Sequence, residues 1–136
     1  MKVLVTKQIP EIGIKILKDA GLDIFIPKDT VLSRAAFIEY SQQADLILNV
    51  GKNIFNADFF EQCPNVKAIS LFSVGFDHVV IEEANKRNVP IGNTPDVLSN
   101  ATADTAFLLM QSVARCASFN FEKVKKGDWS SNFNPL

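Results

Sequence analysis

Nowhere in these 136 residues is there a Gly-x-Gly-x-x-Gly stretch, and nowhere a Gly-x-x-x-x-Gly-Lys-Ser/Thr stretch. The first absence excludes the usual phosphate turn of a dinucleotide domain, and the second excludes a P-loop. Cysteine is scarce too. Cys63 and Cys116 are the only two, without metal-ligand spacing and too few for a disulfide framework. They fit a reducing compartment, and a cytoplasmic location is expected. The start, Met1-Lys-Val-Leu-Val-Thr6, reads as a strand and lacks the layout of a signal peptide. The longest apolar run, Ala106 to Met110, falls far short of the roughly 20 residues that span a bilayer, so no membrane partner is expected. Lys and Arg total 14 against 15 Asp and Glu, and they are scattered. A nucleic-acid partner needs a basic patch, and none is expected here. The small run Lys123, Lys125, Lys126 reads as a solvated helix face.

What is present is a regular alternation. Val3 to Thr6 is apolar and bounded by charge, as in a buried strand. Ile9, Ile12, Gly13, Ile16, Leu17 and Ala20 then recur at helical spacing, with Pro10 in the first turn and Gly21 at the C-terminal cap. Asp23 to Ile26 reads as the second strand. Phe37, Tyr40, Ser41 and Ala44 form a second helical face with Ser33 as N-cap. Asp45 to Val50 is the third strand. Asn56 caps a short helix carrying Phe59 and Phe60 and stopped at Cys63-Pro64. Lys67 to Phe72 is the fourth strand, Asp77 is read as the cap of a helix through Val80, Ile81 and Ala84, and Val89 to Gly92 is the fifth strand. Short, apolar strands alternating with helices predict a parallel sheet covered on both faces, in the flavodoxin-like order 2-1-3-4-5.

From Ser99 the pattern changes. Ser99, Thr102 and Asp104 open a long helix, expected over Ser99 to Ser118 with Cys116 inside it. Ala103, Ala106, Phe107, Met110, Val113, Ala114 and Ala117 make one apolar stripe, and Leu108 and Leu109 make a second. A helix apolar around so much of its circumference expects neighbours on more than one side. A short helix from Phe121 to Lys126, a Gly127 cap and a tail with Trp129 follow. The expected division is residues 1–98 as one α/β domain and 99–136 as a connector helix and tail.

The chemistry-bearing run is Ser73-Val-Gly-Phe-Asp-His78. It follows a strand directly, and its glycine lets backbone amides approach an anion. A plain tight turn between strand and helix is the competing reading. His78 is the one histidine and invites a general-base role. Its expected place in the first turn of a helix disfavours imidazolium and makes a packing role the better reading. Asp77 reads as a cap, and Asp104 as a carboxylate favoured in a first turn.

The stretches Ser73-Val-Gly-Phe-Asp-His78, Thr94-Pro-Asp-Val-Leu98 and Val124-Lys-Lys-Gly-Asp-Trp129-Ser resemble the D-isomer-specific 2-hydroxyacid dehydrogenases, in particular the glyoxylate/hydroxypyruvate reductases. The resemblance is specific from about Ala68 onward and weak over the first 45 residues. It implies the flavodoxin-like substrate-binding domain of an NAD- or NADP-dependent enzyme that transfers hydride from the reduced cofactor, NADH or NADPH, to a small 2-oxo acid. It also implies that the amides of Val74 and Gly75 hold the substrate carboxylate, that Val50 and Gly51 line the pocket, and that Leu98 stands where its wall turns. Thr102 would lie near the nicotinamide. The helix Ser99 to Ser118 would cross to a cofactor domain and support a homodimer or higher oligomer.

On the same resemblance, the family's dinucleotide glycines, catalytic arginine, supporting carboxylate and histidine acid/base are expected beyond Leu136. Neither Arg115 nor His78 is one of them. No catalytic residue and no metal ligand is therefore expected in this chain, and no cofactor bound to it alone. A non-catalytic carboxylate-binding or regulatory module remains the second reading. A receiver or flavin protein is disfavoured, because Thr6-Lys-Gln-Ile-Pro10 supplies neither an acidic cluster nor a hydroxyl-rich phosphate loop.

Overall fold

In the computed structural model, which describes residues 1–29 and 31–128, strands and helices alternate as the sequence pattern requires. The elements are β1 (Lys2–Val5), α1 (Glu11–Asp19), β2 (Asp23–Phe25), α2 (Arg34–Gln42), β3 (Leu46–Asn49), α3 (Ala57–Gln62), β4 (Ala68–Leu71), α4 (Ile81–Lys86), β5 (Ile91–Gly92), α5 (Ser99–Ala114) and α6 (Ala117–Lys125). The five strands form one sheet in the order β2-β1-β3-β4-β5, and every pairing is parallel. This is the expected doubly wound α/β fold. The chain divides into a unit Met1–Asp96 and a second unit beginning at Val97.

Within the first unit, alternate strand residues point to opposite faces. Leu4, Ile47, Ile69 and Leu71 point into the larger core, with Phe37 and Ile38 of α2, Phe59 and Phe60 of α3, and Ala84 of α4. Phe37, Phe55, Phe59 and Phe60 pack ring to ring at 4.8–5.5 Å. Val3 and Val5 point the other way, toward Ile9 and α1. That second face is thinner: only Val3, Val5 and Ile9 are fully buried, and Leu46, Leu48 and Val50 are partly so. Both faces are covered, as the strand pattern predicts, the second by α1 alone among the helices of the first unit. Ser33 and Asn56 are the caps expected of them, accepting from the amides of Ala36 at 3.2 Å and Phe59 at 3.1 Å.

Several expectations are corrected. On α1 the apolar face is not the one the spacing suggested. Leu17 packs on the sheet with Ile14, while Ile12 and Ile16 are exposed. All of these residues are apolar, so periodicity alone left two faces open.

Asp77 caps nothing. The helix starts at Ile81 with Val80 at its N-cap position and no side-chain cap. A bridge between Phe55 and Val79 accounts for this. Phe55 N–H donates to His78 O, and Val80 N–H donates to Phe55 O, both at 2.9 Å. It draws Asp77 and His78 out of the helix.

In the second unit, the long helix ends at Ala114. Cys116 stands at φ 48° in the left-handed region, and α6 begins at Ala117 rather than Phe121. The side-chain amide of Asn120 donates to the Arg115 carbonyl that the break frees. At the other end of α5, the N-cap position is Leu98, neither Ser99 nor Thr102 supplies a side-chain cap, and Asp104 lies past the first turn. The Trp129 tail lies outside the described residues.

Candidate functional site

β3 and β4 are neighbours in register, Asn49 opposite Leu71. Their following loops therefore emerge side by side at the carboxyl edge of the sheet, where ligands bind in open α/β sheets. The structure brings four of the expected residues to this edge. Val50 and Gly51 follow β3, and Val74 and Gly75 lie three and four residues past β4.

The β4 loop is a set of carbonyls tied back to the protein. Thr94 N–H donates to Ser73 O at 3.0 Å, Asn93 Nδ2 donates to Val74 O at 2.9 Å, and Ser73 Oγ donates to Gly75 O at 2.8 Å. None of the N–H groups from Ser73 to His78 has a protein acceptor among the described residues, those of Val74 and Gly75 included. Occupied carbonyls and a run of free amides make a cradle that offers donors, the arrangement an anion needs. Gly75 is exposed, and a Cβ there would stand 3.4 Å from Asp77 Oδ2. The Asp77 carboxylate thus flanks the cradle on that side.

The β3 loop is held at both ends. At its start, Thr6 Oγ1 accepts from Val50 N–H at 2.8 Å, and Asn49 Nδ2 donates to Gly51 O at 2.9 Å. Gly51 has φ +101°, which only glycine adopts at low cost. At the loop's far end, the Arg34 guanidinium donates to Ile54 O and to Asn56 Oδ1. Lys52, next to Gly51, brings a cation to this edge.

His78 sits between the two loops. Its Nε2 lies 3.4 Å from Asn49 Nδ2, and its ring centroid is 6.2 Å from that of Phe55. Its pKa is lowered, chiefly by burial. Asp77 acts in the opposite direction, and Lys52 adds to the lowering. The direction agrees with the sequence reading, but the cause is desolvation and not a helix dipole. Cys63 is buried, its thiol pushed up to about 11 by desolvation. A thiol so raised is a poor nucleophile.

Leu98 and Thr102 belong to the second unit. Leu98 is exposed, and its carbonyl accepts from Thr102 N–H at 2.9 Å. Sequence reading missed Thr6, Asn49, Asn53 and Asn93. The available signal was a polar residue closing an apolar strand: Thr6 after Val3-Leu-Val5, and Asn49 after Leu46-Ile-Leu48.

No group of three or more His, Cys, Asp or Glu among the described residues has metal-site geometry. Nor do the residues suit a nicotinamide dinucleotide. The glycines at 13, 21, 51, 75, 92 and 127 are too far apart to line a pyrophosphate turn. No helix of the described residues is long and apolar enough to cross a membrane.

Comparison with known proteins gives a consistent result. A family model described as D-isomer specific 2-hydroxyacid dehydrogenase, catalytic domain, matches residues 3–129. The glyoxylate reductase of Thermococcus onnurineus is 37% identical over 129 residues, covering 94% of this chain and 38% of that protein. The glyoxylate reductase of Thermofilum pendens is 35% identical over 136 residues, covering 98% and 40%. The chain therefore spans about two fifths of the length of the curated relatives it matches. Among solved structures, the TT0316 protein from Thermus thermophilus superimposes with a TM-score of 0.88 at 29% identity, over 100% of this chain and 44% of that one. An acyclic imino acid reductase solved with NADPH and D-Arg has the same fold, with a TM-score of 0.85 at 19% identity, over 99% of this chain and 44% of that one.

Proposed function

The chain belongs to the D-isomer specific 2-hydroxyacid dehydrogenase family, and on that premise we propose that it is the substrate-binding part of a reductase of small 2-oxo acids such as glyoxylate. The observation that carries this reading is the run of free amides that includes Val74 and Gly75, beside a loop built around Gly51. Two neighbouring N–H donors suit one carboxylate, and the adjacent β3 loop is the wall against which a small 2-oxo group would rest. In this reading Val74 and Gly75 bind the carboxylate, and Val50 and Gly51 line the pocket. Leu98 and Thr102 take the roles that the family resemblance gives them in a complete enzyme, pocket wall and nicotinamide neighbour. Residues 1–98 are the substrate-binding domain and 99–136 the connector. The hydride comes from NAD(P)H, and both the cofactor site and the proton donor must be supplied from outside these 136 residues.

The connector also supports self-association. Phe107, Leu108, Leu109 and Met110 of α5 are all at least 60% exposed, and Phe119 and Phe121 of α6 are exposed as well. Apolar surface of this extent marks an interaction site. The reading is a homodimer or higher oligomer through Ser99–Ser118.

Titration of the 15N-labelled chain with oxamate, an unreactive 2-oxo carboxylate, tests the pocket. The amide resonances of Val74, Gly75 and Gly51 should move saturably, and the neutral oxamide should leave them in place. Equal shifts with both compounds, or none with oxamate, would sink the carboxylate reading. The chain by itself should not oxidise NADH or NADPH when glyoxylate is added, and steady turnover would refute the division of labour.

A further inference from the structure

Asn49 closes β3 and is 1% exposed, in a strand whose other residues are apolar. Its side-chain amide is fully used. Oδ1 accepts from Asn53 Nδ2 at 2.7 Å and from Thr6 Oγ1 at 3.4 Å, and Nδ2 faces Gly51 O at 2.9 Å and His78 Nε2 at 3.4 Å. A carbonyl only accepts, so the atom facing Gly51 O must be the NH2 group. The ring nitrogen facing the same NH2 must then be an acceptor. His78 is thereby assigned as neutral imidazole with its proton on Nδ1.

A leucine or valine would serve the strand equally well, whereas an unpaired buried amide is costly. The polar choice at this position is explained by what it connects. One bond ends on the β3 loop at Gly51. The other ends on His78, three residues past Gly75, whose backbone is clamped to Phe55.

We propose that Asn49 is a positioning residue, which sets the two walls of the cradle against each other by holding Gly51 on one side and His78 on the other. This rests on the reading of the cradle as the substrate site. Thr6 and Asn53 fix the orientation of the amide. The charges that act on His78 are Asp77 beside it and Lys52 on the facing loop. Protonation of His78 turns its acceptor into a donor facing a donor, so the link opens on acidification.

His78 is the only histidine, so long-range 1H–15N spectra of the chain report a single imidazole. At neutral pH it should be protonated on Nδ1 and bare on Nε2. Asn49→Ala should release it toward the Nε2-protonated form preferred by a free histidine side chain and shift the Gly51 amide. Asn49→Asp should raise the pKa of His78, because a carboxylate there wants a donor. His78→Gln keeps an acceptor oxygen and should perturb the Gly51 amide several-fold less than His78→Leu. That pair stays informative if the Asn49 variants fail to fold.

An imidazole protonated on Nε2 in the unaltered chain would overturn the proposal. So would equal Gly51 shifts in His78→Gln and His78→Leu, or no response at His78 to Asn49→Ala. None of these readouts involves a ligand. Failure of oxamate to bind would therefore count against the carboxylate reading while leaving the link between the loops standing.

Discussion

At Gly75 the backbone is not in the left-handed region, and the nearest atom to a new Cβ is the end of the flexible Asp77 side chain at 3.4 Å. Gly75→Val should therefore fold normally and act on the ligand, not the turn. In an enzyme containing this domain it should raise KM for a 2-oxo acid at least about tenfold, the scale of ~1.4 kcal/mol for one displaced anion contact. An unchanged KM with a normal melting curve would count against the cradle.

His78 adds a pH dependence whose sign follows from its lowered pKa. The unfolded chain takes up a proton near the ordinary value of 6.5, while the folded chain does so only at lower pH. Stability is thus full above about pH 6.5 and falls as pH drops toward the folded value. Asp45, Asp58 and Glu83 are held below their ordinary values by Lys67, Arg34 and Lys86 respectively, so their loss comes later, below about pH 4. His78→Gln should remove the first loss and leave the second, as read from urea midpoints taken between about pH 7.5 and pH 3.

At the scale of elements, the two side-chain caps should not be equivalent. Ser33 makes one capping bond, and its replacement by Ala should cost about 1 kcal/mol. Asn56 caps α3 and also accepts from Arg34, which ties α2 to the far end of the β3 loop. Asn56→Ala should therefore cost more, up to about 2 kcal/mol, and should also shift the Gly51 amide, which Ser33→Ala should leave in place. Chemical denaturation and amide spectra of both variants check this. Both caps were readable because a cap is a local motif, spanning three residues. The start of α4 was not, because the Phe55 bridge to Val79 joins segments 24 residues apart and overrides the local cap signal of Asp77. The break at Cys116 carries no glycine or proline, and its supporting partner, Asn120, lies four residues on.

For the whole molecule, the exposed apolar side chains of α5 and α6 predict association. Burying ~400 Å² of such surface is worth on the order of 10 kcal/mol before the costs of association. Light scattering at tens of micromolar should give a dimer or larger species, and the double variant Phe107→Glu/Met110→Glu should shift it to monomer with the sheet intact by circular dichroism. A clean monomer of the unaltered chain would refute the interface. The thinner second face of the sheet is a separate feature, since α1 alone of the helices in the first unit lies on it.

By itself the sequence determined the architecture of the first unit. Short apolar runs such as Leu46-Ile-Leu48 mark the strands, and helices between successive strands leave parallel pairing as the way to connect them. It also marked Ser73-Val-Gly75 as the turn to watch, since glycine after a strand is a local signal. Only the tertiary structure decided which amides are free, that His78 stands outside any helix, and that Asn49 links two loops. Those facts depend on β3 and β4 being neighbours and on contacts tens of residues apart. A hydrogen-bond partner is set by position in space, and spacing along the chain does not encode it.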